Sequence, residues 1–299
     1  MVGVHPFSLL EFITSPLKTF TFVCLIITML SFWAYRRLWI WGPLLGFACV
    51  CAHFAHIMEI GLTIPIVLLF ATHWILHTHL PSVARLLVIC IIILLSCGFA
   101  FHLFPDVTNW LLVDGLSISP GAPAFNYYWN FDKPFIGLFV LGFHLKLLSN
   151  KEEIKAILPK TLTLTCVSLL ILLFSAFFLR VIALDVKLPL LTPAWLIGNL
   201  FLTVIPEEAF FRGFLQEQLT RAISSKMAPW IANAIVSAAF ALAHMFFVAN
   251  PAYLLIAFLA SFCYGMLYSV TKAIEASIFV HYLFNVLHFI FFTYPALTK

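Results

Sequence analysis

The chain has 299 residues, 63% of them hydrophobic and only 9% charged, with a formal net charge of +4. Soluble domains carry roughly 25% charged residues, and a soluble chain of this length could not keep so much apolar surface from water. The composition therefore excludes a soluble globular protein and specifies one integral to a membrane. The basic residues are scattered through short loops, which argues against a nucleic-acid-binding surface and for topology signals.

In chain order, the N-terminal stretch MVGVHPFSLLEFITSPLKTF has no charged start and no small-residue cleavage site. Its first apolar run, Phe20–Trp33, reads as a retained span rather than a removed signal. Apolar runs suited to helices of about 20 residues fall at 19–35, 38–58, 60–78, 86–104, 134–149, 161–184, 192–218, 229–248, 252–270 and 274–293. Pro65 interrupts the third and the fifth is short, so eight to ten spans are expected. Continuous runs of this kind lack the alternation of β-barrel strands. The expected fold is all-α, a polytopic transmembrane helical bundle of eight to ten helices.

Between the fourth and fifth runs, 105–132 holds a Gly/Pro/Ser turn at Ser117–Pro123 and the interfacial aromatics Tyr127, Tyr128 and Trp129. It reads as an interfacial loop, with a substrate-facing lid as the alternative. Lys151–Lys160 reads as a cytoplasmic linker between an N-terminal transmembrane region, 1–150, and a C-terminal one, 151–299. Arg36–Arg37, Arg85, Lys146 to Lys160, Arg221–Lys226 and Lys272 fall in every second loop, and the positive-inside rule makes those loops cytoplasmic. Both termini then lie outside if all ten spans are real. The seven cysteines show no zinc or redox spacing and read as small buried thiols.

Three polar islands interrupt the C-terminal apolar runs. The first is VIPEEAFFRGFLQEQL, Val204–Leu219. Ionisable residues deep in a membrane are expensive and usually functional. Glu208 and Arg212 are one turn apart and can pair, as a support for a site or as a lock on helix packing. Glu207 then faces elsewhere, and an unpaired, poorly solvated carboxyl there is expected to hold or take a proton near neutrality. Pro206 is expected to kink the helix and make room for water.

The second island is FALAH, Phe240–His244, and the third is HYLFNVLH, where His281, Asn285 and His288 share one helix face. His244 alone could simply bond a neighbouring carbonyl. His281 and Asn285 could be interhelical polar glue or donors to a developing oxyanion. Together the islands permit water activation by Glu207 with His244, and stabilisation of a tetrahedral intermediate by His281 and Asn285. Zinc held by the same Glu and His set ranks lower, because HExxH is absent. The histidines at 53, 56, 73, 77, 79, 102 and 144 could handle protons or metal, but this ranks low because no carboxylate except Glu59 sits close in the same runs. No GxSxG, GxxxxGK or GxGxxG occurs, so neither a nucleophile-elbow serine nor a nucleotide cofactor is suggested.

The ordered set EExxxR (Glu207, Glu208, Arg212), FxxxH (Phe240, His244) and HxxxN (His281, Asn285) resembles the signature of the CPBP family over about residues 190–293. These are the CAAX prenyl endopeptidases and their bacterial relatives linked to bacteriocin processing and immunity. The resemblance implies a multi-pass protein of a bacterial cytoplasmic membrane, acting as an intramembrane glutamate protease without a cofactor. Its substrate would be a membrane-associated or lipid-anchored protein or a leader peptide. Glu207 would be the base and His244 would position or activate water. His281 and Asn285 would form the oxyanion hole, with Glu208 and Arg212 in support. Gly265 and Ser269 keep the close helix approach expected before the last motif, whereas Thr271–Glu275 replaces the usual Gly- or Ser-containing turn. The NFDKP stretch, Asn130–Pro134, is similar to a segment of bacterial members that accompany protein-sorting systems. A non-catalytic scaffold or immunity protein, and a proton-coupled transporter, are the alternatives.

Overall fold

The computed structural model describes residues 10–245 and 250–298. After a short helix α1, Leu10–Thr14, come α2, Pro16–Ala34, α3, Leu38–Phe54, α4, Thr63–Ile75, and α5, Ser82–Ala100. A β-hairpin follows, β1 Trp110–Leu116 and β2 Phe125–Trp129, and then α6, Pro134–Phe143. The rest is α7, Lys151–Phe178, α8, Thr192–Ala222, α9, Ala228–His244, α10, Pro251–Thr271, and α11, Ile274–Phe291. Six of these helices are long and apolar enough to cross a membrane: α2, α5, α7, α8, α10 and α11. With the composition, this makes the chain an integral membrane protein. The shorter apolar helices are α3, the stretch ending in α4, α6 and α9.

Four sequence expectations change. The 105–132 segment is no plain loop: β1 and β2 pair antiparallel with Trp110 opposite Trp129, and the predicted Ser117–Pro123 turn joins them. Phe22 of α2 packs on both indoles, at 5.3 Å from Trp129 and 6.0 Å from Trp110, which pins the hairpin to the bundle. Pro65 does not break its helix. It sits in the first turn of α4, where the missing N–H has no intrahelical acceptor to lose. Lys151–Lys160 is not a linker but the opening of α7. Asn150 caps it by accepting from the Glu153 amide (2.9 Å), while Glu153 accepts from the Ser149 amide (2.9 Å), a reciprocal capping arrangement. The run predicted at 229–248 ends as a helix at His244, and its residues 246–248 lie outside the described residues.

At ten residues α6 is about 15 Å long, half of what a crossing needs. Pro134–Leu141 are all buried, so α6 is a half-length helix enclosed by other helices. Two glycines let it lie close to α8. A Cβ on Gly137 would stand 2.5 Å from Pro206 Cα, and one on Gly213 would stand 2.7 Å from a Leu145 methyl. Because 137 meets 206 and 145 meets 213, the chain through α6 runs in the same direction as the C-terminal half of α8.

α8 is not a regular α-helix. Asn199–Val204 and Ala209–Gln216 are π-helical, and between them lies one α-helical turn, Ile205–Glu208. Wide π turns re-aim side chains and recur at functional sites. Here they flank the glutamate pair. They are the local distortion of α8 that the proline alone was expected to supply.

Candidate active site

Glu208 and Arg212 lie one turn apart on α8 with fully buried side chains. Arg212 Nε donates to Glu208 Oε2 (3.2 Å), and Nη2 donates to Ser261 Oγ of α10 (2.6 Å). The Ser277 hydroxyl on α11 lies against the same Oε2 and 3.0 Å from the Tyr264 carbonyl oxygen. Glu208 Oε1 is 2.7 Å from His281 Nδ1. Two charges out of water are tolerable only when paired and fully hydrogen-bonded, and this carboxylate is held on both oxygens. Gln216, a further turn along α8, extends the stripe by donating to the Gly265 carbonyl (3.1 Å) and to Ser269 Oγ (2.9 Å).

Glu207 points the other way, into a cavity of about 580 Å³. It is not unpaired, which corrects the sequence expectation. Lys133 Nζ stands 2.6 Å from Glu207 Oε1, and both side chains are only slightly exposed. The other oxygen, Oε2, faces His281 Nε2 at 4.0 Å. Lys133 is the partner of Glu207 that sequence reasoning missed. It directly precedes α6, and Asp132 fixes that helix start. The buried Asp132 carboxylate accepts from the Lys133 amide (2.9 Å) and from Asn109 Nδ2 (3.1 Å), and it lies 2.7 Å from His102 Nδ1. The signal available was a lone lysine in the quoted NFDKP stretch, ahead of a charge-free apolar run.

His281 stacks on the Tyr264 ring (centroids 4.4 Å, 15°) and meets Phe240 edge-on (6.1 Å, 78°). Phe240 stacks on His244 (4.3 Å), and His244 Nδ1 lies 2.8 Å from the Phe240 carbonyl oxygen. Since a carbonyl only accepts, Nδ1 carries the proton there. The same logic constrains His281. An ionised Glu208 only accepts, so Nδ1 donates to it. A second N–H at Nε2, as an oxyanion donor needs, then requires the doubly protonated ring. Asn285 donates to Asn199 Oδ1 (3.3 Å), a second residue the sequence reading passed over, on the first π turn of α8.

Glu207, His244, His281 and Asn285 thus line one cavity, together with Lys133 and Asn199. Glu208 and Arg212 stand behind it. His288, on the face of His281 and Asn285, also lines it and bonds the Thr293 carbonyl (3.0 Å). The histidines at 53, 56, 73, 77, 79, 102 and 144 do not line it. His73 and His144 contact each other at 2.7 Å, and His53 reaches the Met58 carbonyl oxygen (3.2 Å). A zinc ion at this donor set would meet an ammonium, Lys133 Nζ, already seated on Glu207 Oε1. Among the described residues no group of three His, Cys, Asp or Glu side chains is placed to hold a metal ion.

Fold and site define a class: a helical membrane protein with a glutamate–arginine–histidine network sunk in its bundle. Residues 189–287 match the Rce1-like family, described as type II CAAX prenyl endopeptidase Rce1-like. The matched segment is about a third of the chain. It contains Glu207, Glu208, Arg212, His244, His281 and Asn285, whereas Lys133 and α6 lie outside it. No curated protein and no solved structure matches the chain.

Proposed function

We propose that the protein is an intramembrane endopeptidase that hydrolyses a membrane-associated polypeptide without a covalent intermediate. The observation that carries this reading is the convergence of Glu207, His244, His281 and Asn285, from three helices of the family-matched segment, on one cavity. In the proposed reaction Glu207 Oε2 takes a proton from water and the oxygen adds to the scissile carbonyl carbon. Asn285 and the protonated His281 donate to the oxyanion, and His244 positions the water. Collapse of the intermediate breaks the C–N bond as the proton on Glu207 passes to the leaving amine. Lys133 fixes Oε1, so that Oε2 is the oxygen presented to water. Glu208 and Arg212 act through His281, orienting its ring.

The Lys133–Glu207 pair favours a second reading, in which the cluster is packing glue in a non-catalytic scaffold or immunity protein. One comparison separates the two. Membrane fractions from cells making wild-type or Glu207→Gln protein are analysed for new N- and C-termini. The protease reading expects one or more termini present with wild type and lost with the variant, at equal protein amounts. Identical termini in both, with a partner still bound, would establish the scaffold. Loss of proton-coupled solute flux, with termini unchanged, would point instead to transport.

A further inference from the structure

Each end of the bundle is knitted from loops distant in sequence. At one end Glu275 Oε1 accepts from Trp33 Nε1 (2.9 Å) and from the Leu148 amide (2.8 Å). These bonds join the end of α2, the 144–150 turn and the start of α11. Arg85, at the start of α5, reaches Gln218 near the end of α8 (3.4 Å). Gln216 ties that end to Ser269, near the end of α10 (2.9 Å). The turns here carry Arg36, Arg37, Lys146, Arg221, Lys226 and Lys272.

The opposite end is tied separately. The Glu59 amide donates to the Asp106 carbonyl and the Thr108 amide to the Ile57 carbonyl, both at 2.8 Å. The Thr293 amide donates to the Ala183 carbonyl (2.9 Å) and the Tyr294 amide to Ser119 Oγ of the hairpin turn (3.0 Å). Its basic residues are fewer: Lys18 lies over Trp110, Arg180 follows α7, and Lys187 pairs with Asp185 (3.2 Å).

The cavity belongs to the second end. Glu207, halfway along α8, is at its inner part, and Ala124, Phe125, Ile182, Tyr294 and Pro295 line its outer part. No residue of the basic turns lines it. Towards the basic end the bundle is filled, by Gly137 against Pro206, Leu145 against Gly213 and the buried Arg212–Gln216 stripe. Basic turns of short loops stay in the cytoplasm.

We infer that the cavity opens on the non-cytoplasmic face of the membrane. Its substrate is then a membrane-anchored polypeptide whose scissile bond is presented from that side, after the flanking sequence has crossed. The substrate half of this inference rests on the protease reading; the orientation of the cavity does not.

The test is thiol accessibility in the full-length protein. Ala124→Cys places an exposed thiol at the hairpin side of the cavity, and Ser224→Cys places one in the Arg221–Lys226 turn. Ala257→Cys lies on the cavity wall. Each is treated with a membrane-impermeant maleimide in right-side-out and in inverted vesicles, with wild type giving the background of the native cysteines. We expect Ala124→Cys and Ala257→Cys to label in right-side-out vesicles, and Ser224→Cys only in inverted ones. The reverse pattern overturns the inference, as does labelling of Ala257→Cys from the Ser224 side alone. Labelling is read equally in a Glu207→Gln background, so a failed orientation and a failed protease reading are distinguishable. Termini lost in Glu207→Gln cells should map to the non-cytoplasmic side of their own anchors. Termini mapping to the cytoplasmic side would overturn the substrate class while leaving proteolysis intact.

Discussion

Lys133 and Glu207 are 74 positions apart, yet their charged atoms stand 2.6 Å from each other. If Lys133 serves to present Glu207, Lys133→Met should lower the cleavage rate, by less than the loss of about 10²–10⁴-fold that removing the proton-transfer group itself brings. Lys133→Arg should restore part of it. Both rates are read as accumulation of the uncleaved precursor in a pulse-chase. Glu208 and Arg212 predict a different phenotype. Arg212→Ala leaves a carboxylate buried without its cation, at a cost of about 3–5 kcal/mol, so the melting temperature in detergent should fall sharply. Glu207→Gln should lower that temperature less, because the Lys133 ammonium it leaves without a carboxylate lines a cavity rather than a closed core. The motif residues were legible because i, i+4 spacing places side chains on one helix face. The partner of Glu207 was not, because nothing local links α8 to the residue before α6.

At the scale of elements, close approach is written in small residues. A Cβ on Gly265 would overlap Asn233 Oδ1 and stand 2.6 Å from Gln216 Oε1, at the junction of α8, α9 and α10. Gly265→Ala should therefore destabilise by about 1–3 kcal/mol through overpacking. Gly46→Ala on α3, with nothing within 4 Å of its Cβ, should be neutral or gain up to about 1 kcal/mol of helix stability. Thermal unfolding of the two purified variants checks the contrast. The small-residue pair Gly265 and Ser269 was readable as a contact face. The π turns of α8 were not, since an apolar run in a membrane shows little periodicity from which to count residues per turn. The hairpin was hidden for a related reason. Its strand residues Trp110–Val113 are all apolar, so they show no alternation to read, and Trp110 packs on Phe22 of α2.

For the whole molecule, hydrophobicity located most helices but not their roles. α6 was visible as a short run, and its half length makes sense only in three dimensions, as an enclosed helix that delivers Lys133 to the middle of α8. The match to a prenyl-endopeptidase family covers residues 189–287, so the first half contributes at least one residue to the site from outside the matched segment. The protein reconstituted in lipid vesicles offers the most direct measurement, with a precursor taken from the comparison of termini as substrate. The account predicts that wild type converts precursor to product at a rate unchanged by a metal chelator, and that Glu207→Gln gives none. Product formed equally by Glu207→Gln, or abolished by the chelator and restored by zinc, would contradict it.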